Sequence, residues 1–190
     1  MNDTKLNRIP PGQHVTKQFP VLQHGRVVHL DREDYTLEIT GLVQLPTMLD
    51  LDGILALPRT TRTVDIHCVT SWSKLDTKWG GVQFREITAL VKPLKEARHV
   101  IMHCADGGFT TSLPIEPMMD DDVLLAYEYN GKPLNDAHGG PVRVLVPKRY
   151  FYKSAKWLTG LEFTKEDSLG FWERGGYSNS ADPWKEERYA

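Results

Sequence analysis

The segment Thr63–Cys68 constrains the fold most, because its hydrophobicity alternates residue by residue. Val64, Ile66 and Cys68 share one side and polar residues occupy the other, which is the period of a half-buried strand. Polar residues at 70–74 and a glycine pair follow, so the thiol is predicted to lie where a rigid strand opens into a loop. Functional side chains are often held in such places, but a buried cysteine is also a common structural residue. The pattern leaves both roles open.

Short periodic patterns recur along the chain, and most of them have the period of a strand. Asn130-Gly131 predicts a hairpin, because this pair tolerates positive φ. Two segments, 48–57 and 84–91, have helical spacing and a proline close to their ends. Strands are predicted at 35–39, 99–104, 122–129, 142–147 and 156–163.

Length and charge exclude several classes of protein. The 190 residues fit one domain with a proper core, and the net charge is −2 with basic and acidic residues mixed, which argues against a nucleic-acid partner. No apolar run approaches the roughly 20 residues of a membrane span. Residues 1–18 are polar and lack a signal-peptide h-region, so we predict an extended or poorly ordered N-terminal arm, a domain at 19–190 and a cytoplasmic location.

The two cysteines, Cys68 and Cys104, are expected to be free thiols, because disulfides are rare in the cytoplasm. Their spacing lacks the close cysteine pairs of structural zinc sites. No Cys-x-x-Cys-His motif for haem attachment is present, and two cysteines are too few for an iron–sulfur cluster. Cys104 is interpreted as a residue of the core or of a pocket wall.

Three polar positions indicate a ligand, and two of them indicate that it is anionic. Arg143 shares a strand face with Leu145, and a buried guanidinium needs an anionic partner, either a carboxylate of the chain or a ligand phosphate. We favour the phosphate, because small residues before Lys156 allow backbone N–H groups to face an anion. Asp106 precedes Gly107-Gly108, and a glycine pair allows close backbone approach to a ligand.

These segments together resemble the molybdopterin-binding domain of the sulfite oxidase family, which includes the catalytic subunit of the periplasmic protein-methionine-sulfoxide reductase. The resemblance runs from about Phe19 to the C-terminus and depends on the order and spacing of the segments. They are the strand ending at Cys68, Asp106, the run 138–143, the run 153–158 and the tail 172–177.

The resemblance implies an α+β fold, mainly β, with helices around a cofactor cleft, and a molybdenum–molybdopterin cofactor without haem. It makes Cys68 the protein ligand to molybdenum, since a thiolate is a soft ligand that suits a metal already held by sulfur. Tyr177 is carried over as a substrate-side residue. The implied cofactor-binding residues are Leu22, Gln23, His24, Asp106, His138, Arg143, Ser154, Ala155 and Lys156.

The implied activity is oxo transfer on a small sulfur- or nitrogen-containing substrate, with a separate electron donor or acceptor. Leu22 stands where sulfite oxidases of the family carry an arginine, which removes a positive charge from the expected substrate pocket. Lys74 or Arg174 could supply charge instead. The sequence also allows a non-catalytic β-rich binding protein or a cofactor-storage protein, in which Cys68 is merely buried and Arg143 pairs with a carboxylate.

Overall fold

The computed structural model describes residues 8–190, and within them eleven strands and four short α-helices form a mixed, mainly β fold, as predicted. The strands are β1 (His14–Val15), β2 (Thr36–Gly41), β3 (Thr47–Asp50), β4 (Arg59–His67), β5 (Trp72–Gln83), β6 (His99–Cys104), β7 (Thr110–Pro114), β8 (Leu124–Tyr129), β9 (Lys132–Pro133), β10 (Arg143–Leu145) and β11 (Leu158–Thr164). The helices are α1 (Leu51–Leu55), α2 (Phe84–Val91), α3 (Ile115–Met118) and α4 (Phe171–Arg174), and 3-10 turns lie at Asp136–His138, Phe151–Lys153 and Pro183–Lys185.

The strands form two sheets. The first has the order β1-β5-β8-β10, with β4 also paired to β5 and β9 to β8. The second has the order β3-β2-β11-β6-β7, in which β11 runs parallel to β2 and antiparallel to β6. Long pairing between β4 and β5 places the end of β4 beside the start of β5. The Cys68 turn therefore lies at one end of the first sheet.

The first sheet buries both of its faces. Leu125 and Val144 belong to the large cluster shared with the second sheet, whereas Leu124 and Leu145 belong to a smaller cluster on the opposite face. This alternation is the period of a strand, and it confirms that position 143 shares a face with Leu145. Cys68 belongs to the smaller cluster.

Strand β5 corrects the loop that was predicted after Cys68. A tight turn ends at Ser71, whose φ is 74°, and β5 then runs for twelve residues. Gly80-Gly81 lies inside this strand at an irregularity in the pairing with β8. A Cβ at Gly81 would lie 2.2 Å from the Leu125 carbonyl oxygen, so the glycine permits close strand approach instead of marking a loop.

The helix predicted at 48–57 is wrong in its first turn. Met48 lies in β3, and the helix begins only after Asp50, whose Oδ1 accepts a hydrogen bond from Gly53 N at 2.7 Å. The helical spacing also places Leu55 on the same face as Leu51 and Ile54, but Leu55 is 40% exposed. The second predicted helix is confirmed as α2, with Phe84 and two further positions buried and Pro93 beyond its end.

The predicted N-terminal arm is described only from residue 8, because residues 1–7 lie outside the described part. Arg8 donates to the Asp65 carboxylate at 2.6 Å, and β1 pairs in parallel with the first residues of β5. Residues 8–18 are thus held against the sheet near the Cys68 turn. Within 8–190, no helix is both long enough and apolar enough to cross a membrane.

Candidate active site

A cavity of about 260 Å³ lies beside the smaller cluster. Its walls come from the N-terminal segment, the Cys68 turn, the loop after β6, the segments around β10, and the C-terminal tail. It gathers all the predicted site residues, which are Leu22, Gln23, His24, Cys68, Asp106, His138, Arg143, Ser154, Ala155, Lys156 and Tyr177. The roles given to them remain predictions.

Cys68 lies immediately after β4 in a turn closed by its own backbone. Ser71 N donates to Cys68 O at 3.0 Å, and Cys68 N donates to Trp72 O at 2.8 Å. The side chain is 8% exposed, and Cys68 Sγ lies 3.1 Å from Thr70 Oγ1. Burial raises the pKa of the thiol, and the Thr70 contact opposes this only in part. Without a metal the thiol is therefore protonated at neutral pH.

The second cysteine has different surroundings. Cys104 ends β6, is half-buried against the larger cluster and does not line the cavity. Burial strongly raises the pKa of its thiol. Of the two positions that the sequence allowed for Cys104, core or pocket wall, the structure shows the core, and Cys68 is the thiol that faces the cavity.

Arg143 is a buried cation without an anionic partner. It is 1% exposed, and its Nη2 and Nη1 atoms donate to Ser154 O at 2.6 Å and to His138 O at 2.9 Å. Its guanidinium lies 4.4 Å from the Phe151 ring centroid, and no carboxylate among residues 8–190 forms an ion pair with it. Burial lowers the pKa of Arg143 to about 9. The alternative of a carboxylate pair is not found.

Lys156 adds a second charge near Arg143. Its Nζ donates to Ala137 O at 2.8 Å and to Gln23 Oε1 at 3.2 Å. Burial and the Arg143 charge lower the pKa of Lys156 to about 7, although Asp106 opposes them. Gly139 makes this packing possible, because a Cβ there would lie 2.8 Å from Lys156 Cβ and φ at this glycine is 95°.

The backbone between these cations is only partly available to an anion. Ser154 N already donates to Phe151 O at 3.1 Å, and Ser154 Oγ accepts from Val146 N at 2.9 Å. Ala155 N and Lys156 N have no acceptor in the part of the chain that the structure describes. Two adjacent amides can therefore face a ligand, whereas the Ser154 amide cannot.

His24 and Asp106 form another part of the cavity wall. His24 stacks on Phe171 with ring centroids 4.3 Å apart, and His24 Nε2 lies 3.3 Å from Asp106 Oδ2. Burial raises the pKa of the Asp106 carboxyl, while the charges of His24 and Lys156 lower it. The carboxyl group belongs to a turn in which Gly107 and the next glycine both have positive φ.

Four cavity residues have buried polar atoms with no hydrogen-bond partner in residues 8–190. They are His24 Nε2, Trp72 Nε1, Asp106 Oδ1 and His138 Nδ1. Burial and two neighbouring cations lower the pKa of His138 to about 4, so its ring is neutral. Buried polar atoms normally have partners, so four such atoms around one cavity fit a ligand with a polar edge.

The C-terminal tail forms part of the cavity wall through Trp172 and Tyr177. The Tyr177 ring packs against Tyr152, Trp172 and Tyr189, with centroids 5.5, 5.1 and 5.4 Å away. Its hydroxyl forms no hydrogen bond within residues 8–190. The tyrosine can therefore present a free hydroxyl to a ligand. Leu22, which also lines the cavity, is 50% exposed.

The aromatic lining was not predicted from the sequence. Phe19 stacks on His138 with centroids 3.9 Å apart, and Phe151 lies under the Arg143 guanidinium. Trp72 and Phe109 complete the apolar surface. Each lies within a few residues of a predicted candidate, but nothing in their spacing separates them from core aromatics.

A mixed, mainly β domain whose cavity combines a thiol, two cations and unpaired polar atoms defines a binding domain for an anionic cofactor. The chain belongs to the oxidoreductase molybdopterin binding domain family, whose sequence profile matches residues 24–172. The match covers most of the predicted site. Leu22, Gln23 and Tyr177 lie outside it.

Similarity to three other proteins supports this family assignment. The chain is 46% identical over 183 residues to the uncharacterized oxidoreductase YuiH of Bacillus subtilis, covering 96% of this chain and 92% of that protein. It is 34% identical over 194 residues to mitochondrial sulfite oxidase of Drosophila melanogaster, covering 86% of this chain but 34% of that protein. Sulfane dehydrogenase SoxCD of Paracoccus pantotrophus matches with a TM-score of 0.68 and 27% identity, over 74% of this chain and 41% of that one. The chain is a molybdopterin-dependent oxidoreductase of the sulfite oxidase type.

Proposed function

We propose that the chain catalyses oxo transfer at a molybdenum ion that Cys68 ligates and whose pterin phosphate is bound by Arg143 and Lys156. One observation carries the proposal. A fully buried guanidinium without a carboxylate partner in residues 8–190 lines the same cavity as a buried thiol. An unpaired buried charge is costly, so the arginine is best explained by an anion that binds there.

The phosphate position is supported by the groups around Arg143. The guanidinium has N–H groups beyond the three that bond to Ser154 O, His138 O and Val144 O. Lys156 Nζ and the N–H groups of Ala155 and Lys156 add donors from one segment. Charge-assisted hydrogen bonds of this kind are the stronger ones. A phosphate would also keep Lys156 protonated above its free pKa.

Cys68 is supported as the metal ligand by its chemistry and position. A thiolate is a soft ligand, and the thiol is protonated in the free protein because burial raises its pKa. Binding of a cation would favour release of that proton. The turn that ends at Ser71 fixes Sγ at the end of a paired strand, which reduces the ordering that ligation requires.

When bound, the molybdenum–pterin group supplies a two-electron redox centre with an exchangeable oxo group. The chain positions that centre and excludes competing chemistry. The Tyr177 hydroxyl donates a hydrogen bond to a substrate oxygen, and the aromatic residues Trp72, Tyr152 and Trp172 limit water in the cavity. His138 is neutral, so one ring nitrogen can donate and the other accept.

We infer that the substrate is a small uncharged sulfur or nitrogen compound rather than an oxyanion. Within residues 8–190, the only lysine or arginine side chains that line the cavity are the two assigned to the phosphate. Lys74 Nζ donates to Lys17 O at 2.6 Å, and Arg174 Nη1 donates to Leu169 O at 2.7 Å. Leu22 supplies no charge where sulfite oxidases have arginine. The separate electron partner and the cytoplasmic location remain predictions from the sequence.

Metal analysis tests the proposal. Protein purified from a host that makes the cofactor should carry one molybdenum and one pterin per chain. Cys68→Ser should keep the fold and lose activity, whereas the control Cys104→Ser should keep both, because only Cys68 faces the cavity. Zinc or no metal in protein from a competent host, or equal loss of activity in both variants, would contradict the proposal.

A further inference from the structure

Arg188 connects the C-terminal tail to the Cys68 turn. Its Nη1 donates to Val69 O at 2.5 Å and its Nη2 to Gly12 O at 3.4 Å. The guanidinium lies 5.1 Å from the Tyr150 ring centroid, which fixes the side chain from a third direction. The acceptor Val69 O belongs to the residue next to Cys68.

The backbone of the same residue is joined to the Tyr177 segment. Ser178 N donates to Arg188 O at 3.1 Å, and Ala190 N donates to Gly176 O at 3.0 Å. Tyr177 and Tyr189 form an isolated antiparallel bridge between these two hydrogen bonds. A displacement of the tail would therefore move Arg188 and Tyr177 together.

The Cys68 turn receives few other side-chain hydrogen bonds from the rest of the chain. Gln13 Nε2 donates to Cys68 O at 3.1 Å, and the remaining hydrogen bonds at Cys68 come from within residues 68–72. In the described residues, Arg188 is the one charged side chain that donates to this turn. A hydrogen bond from a charged donor is stronger than a neutral one.

We propose that Arg188 is a positioning residue that holds the Cys68 turn at a fixed place relative to Tyr177. The inference deepens the proposed function, because it matters for catalysis only if Cys68 and Tyr177 act on one centre. Arginine suits the task better than lysine, since its planar group can donate to two carbonyl oxygens and stack on a ring at once.

The first test measures how often the Cys68 turn opens, and it needs no cofactor. Full-length protein without cofactor is treated with iodoacetamide, and alkylation of each cysteine is followed by mass spectrometry. Arg188→Met should raise the alkylation rate of Cys68 about tenfold, because a charge-assisted hydrogen bond no longer opposes local opening. The rates are compared per thiolate, with the pKa of each thiol taken from the pH dependence of alkylation, because the Arg188 charge also lowers the pKa of Cys68. Cys104 in the same molecule, which does not contact this turn, should keep its rate.

Arg174→Met is the matched control, because Arg174 is also a tail arginine that donates to a backbone carbonyl, but to Leu169 rather than to the Cys68 turn. It should leave both rates unchanged. If Arg188→Met does not fold, Arg188→Lys replaces it in the same experiment. The alkylation rate of Cys68 should then rise less, since lysine keeps the charge and can still donate one hydrogen bond. Equal rises at both cysteines, or no rise at Cys68, would overturn the proposal.

The second test uses the holoenzyme. Arg188→Lys should lower kcat more than it raises KM, and molybdenum content should stay near that of the parent, because the metal site is displaced rather than emptied. If Cys68 alkylation responds to Arg188 but Cys68→Ser retains molybdenum and activity, the proposed ligation fails while the contact stands. If Cys68→Ser is inactive and alkylation does not respond, the ligation stands and the positioning role fails.

Discussion

Lys156 and Arg143 differ in how their charges respond to pH. The pKa of Arg143 is lowered to about 9, so its guanidinium is charged at neutral pH, whereas the pKa of Lys156 is lowered to about 7. Asp106 is the opposing charge near Lys156, and His138 is neutral because its pKa is about 4. In cofactor-free protein the positive charge of the cavity therefore falls as pH rises through 7.

Anion binding to the cofactor-free protein should follow this titration. Below pH 7 Lys156 is protonated and attracts an anion; above pH 7 the free form loses the proton, and binding must restore it. Sulfate affinity should therefore fall between pH 6 and 9, by up to about tenfold per pH unit above the free pKa. Sulfate suits the measurement because its own charge is constant in this range.

Titration calorimetry at several pH values checks this expectation. Lys156→Met should bind sulfate more weakly at pH 6 and lose most of the pH dependence above pH 6. His99→Gln, which alters a half-buried histidine outside the cavity lining, should behave as the parent. An affinity that is flat with pH in the parent would show that Lys156 does not bind the anion.

Tyr177 offers a test of a single hydroxyl. Its ring is fixed by Tyr152, Trp172 and Tyr189, so Tyr177→Phe keeps the aromatic contacts. Molybdenum content should stay unchanged, and the free energy of unfolding should change by less than about 0.5 kcal/mol. Turnover should fall on the order of 10- to 100-fold, because a hydrogen bond to the reacting oxygen is lost.

The control for this prediction is Tyr189→Phe, which removes a hydroxyl from the same aromatic cluster but at a residue that is 67% exposed and outside the cavity lining. Its turnover should equal that of the parent. Steady-state kinetics with any substrate that the parent turns over measures the turnover of both variants. Unchanged turnover in Tyr177→Phe would return that tyrosine to a packing role.

At the scale of elements, a buried ion pair fastens the tail to the cavity. Lys153 lies in the 3-10 turn directly before residues 154–156, the segment proposed to bind the phosphate. Its Nζ contacts the Glu173 carboxylate of α4. Both side chains are almost fully buried, and Lys153 Nζ also donates to Ser112 O at 3.0 Å and to Asn179 Oδ1 at 3.1 Å. The turn, the helix and the tail are thereby held together.

Glu173→Gln should be strongly destabilising, because it leaves the Lys153 charge buried without its counter-ion. Removal of one partner from a buried pair typically costs about 3–5 kcal/mol. Urea denaturation measures the loss. The matched control is Glu166→Gln, whose partner Lys165 is 3.7 Å away in an exposed pair; it should change the free energy of unfolding by less than about 0.5 kcal/mol. Equal effects would contradict the structural importance of the buried pair.

Alternation and turn residues were enough to predict many elements. The runs at 99–104 and 122–129 became β6 and β8, and Asn130 has positive φ at the predicted hairpin. The segments that were predicted wrongly share one cause, because pairing with distant strands overrode the conformation that the local sequence favours. Gly81 lies in β5 because the backbone of β8 approaches it, and Met48 pairs with Glu38 of β2.

The site was predicted through the resemblance, and physical reasoning on single residues explains only part of it. An arginine in an apolar strand implies burial and a need for an anion, which the structure supports for Arg143. No local pattern reveals that Phe19 stacks on His138, or that Arg188 reaches the Cys68 turn from the other end of the chain. Those contacts depend on tertiary packing alone.

For the whole molecule, the cavity is the place where buried polar groups meet that the chain itself does not fully pair. It combines the buried cation Arg143 with four unpaired polar atoms of its neighbours. These groups lower the stability of the cofactor-free chain, because the Arg143 charge has no counter-ion among residues 8–190 and the buried polar atoms have no hydrogen-bond partner there. A ligand that binds only the folded state raises stability by mass action. Loading with cofactor should therefore raise the melting temperature substantially.

Calorimetry of loaded and cofactor-free protein tests this coupling. A stabilisation of about 3 kcal/mol would raise Tm by roughly 6–12 °C for a chain of this length. Arg143→Met should narrow the difference in Tm between loaded and cofactor-free protein, because the loaded form loses a charge-assisted contact that the cofactor-free form never makes. Arg59→Met, which removes a half-exposed arginine paired with Glu128, should leave the difference intact. Equal lowering of Tm in both forms by Arg143→Met would make the arginine a structural residue and leave the phosphate position unassigned.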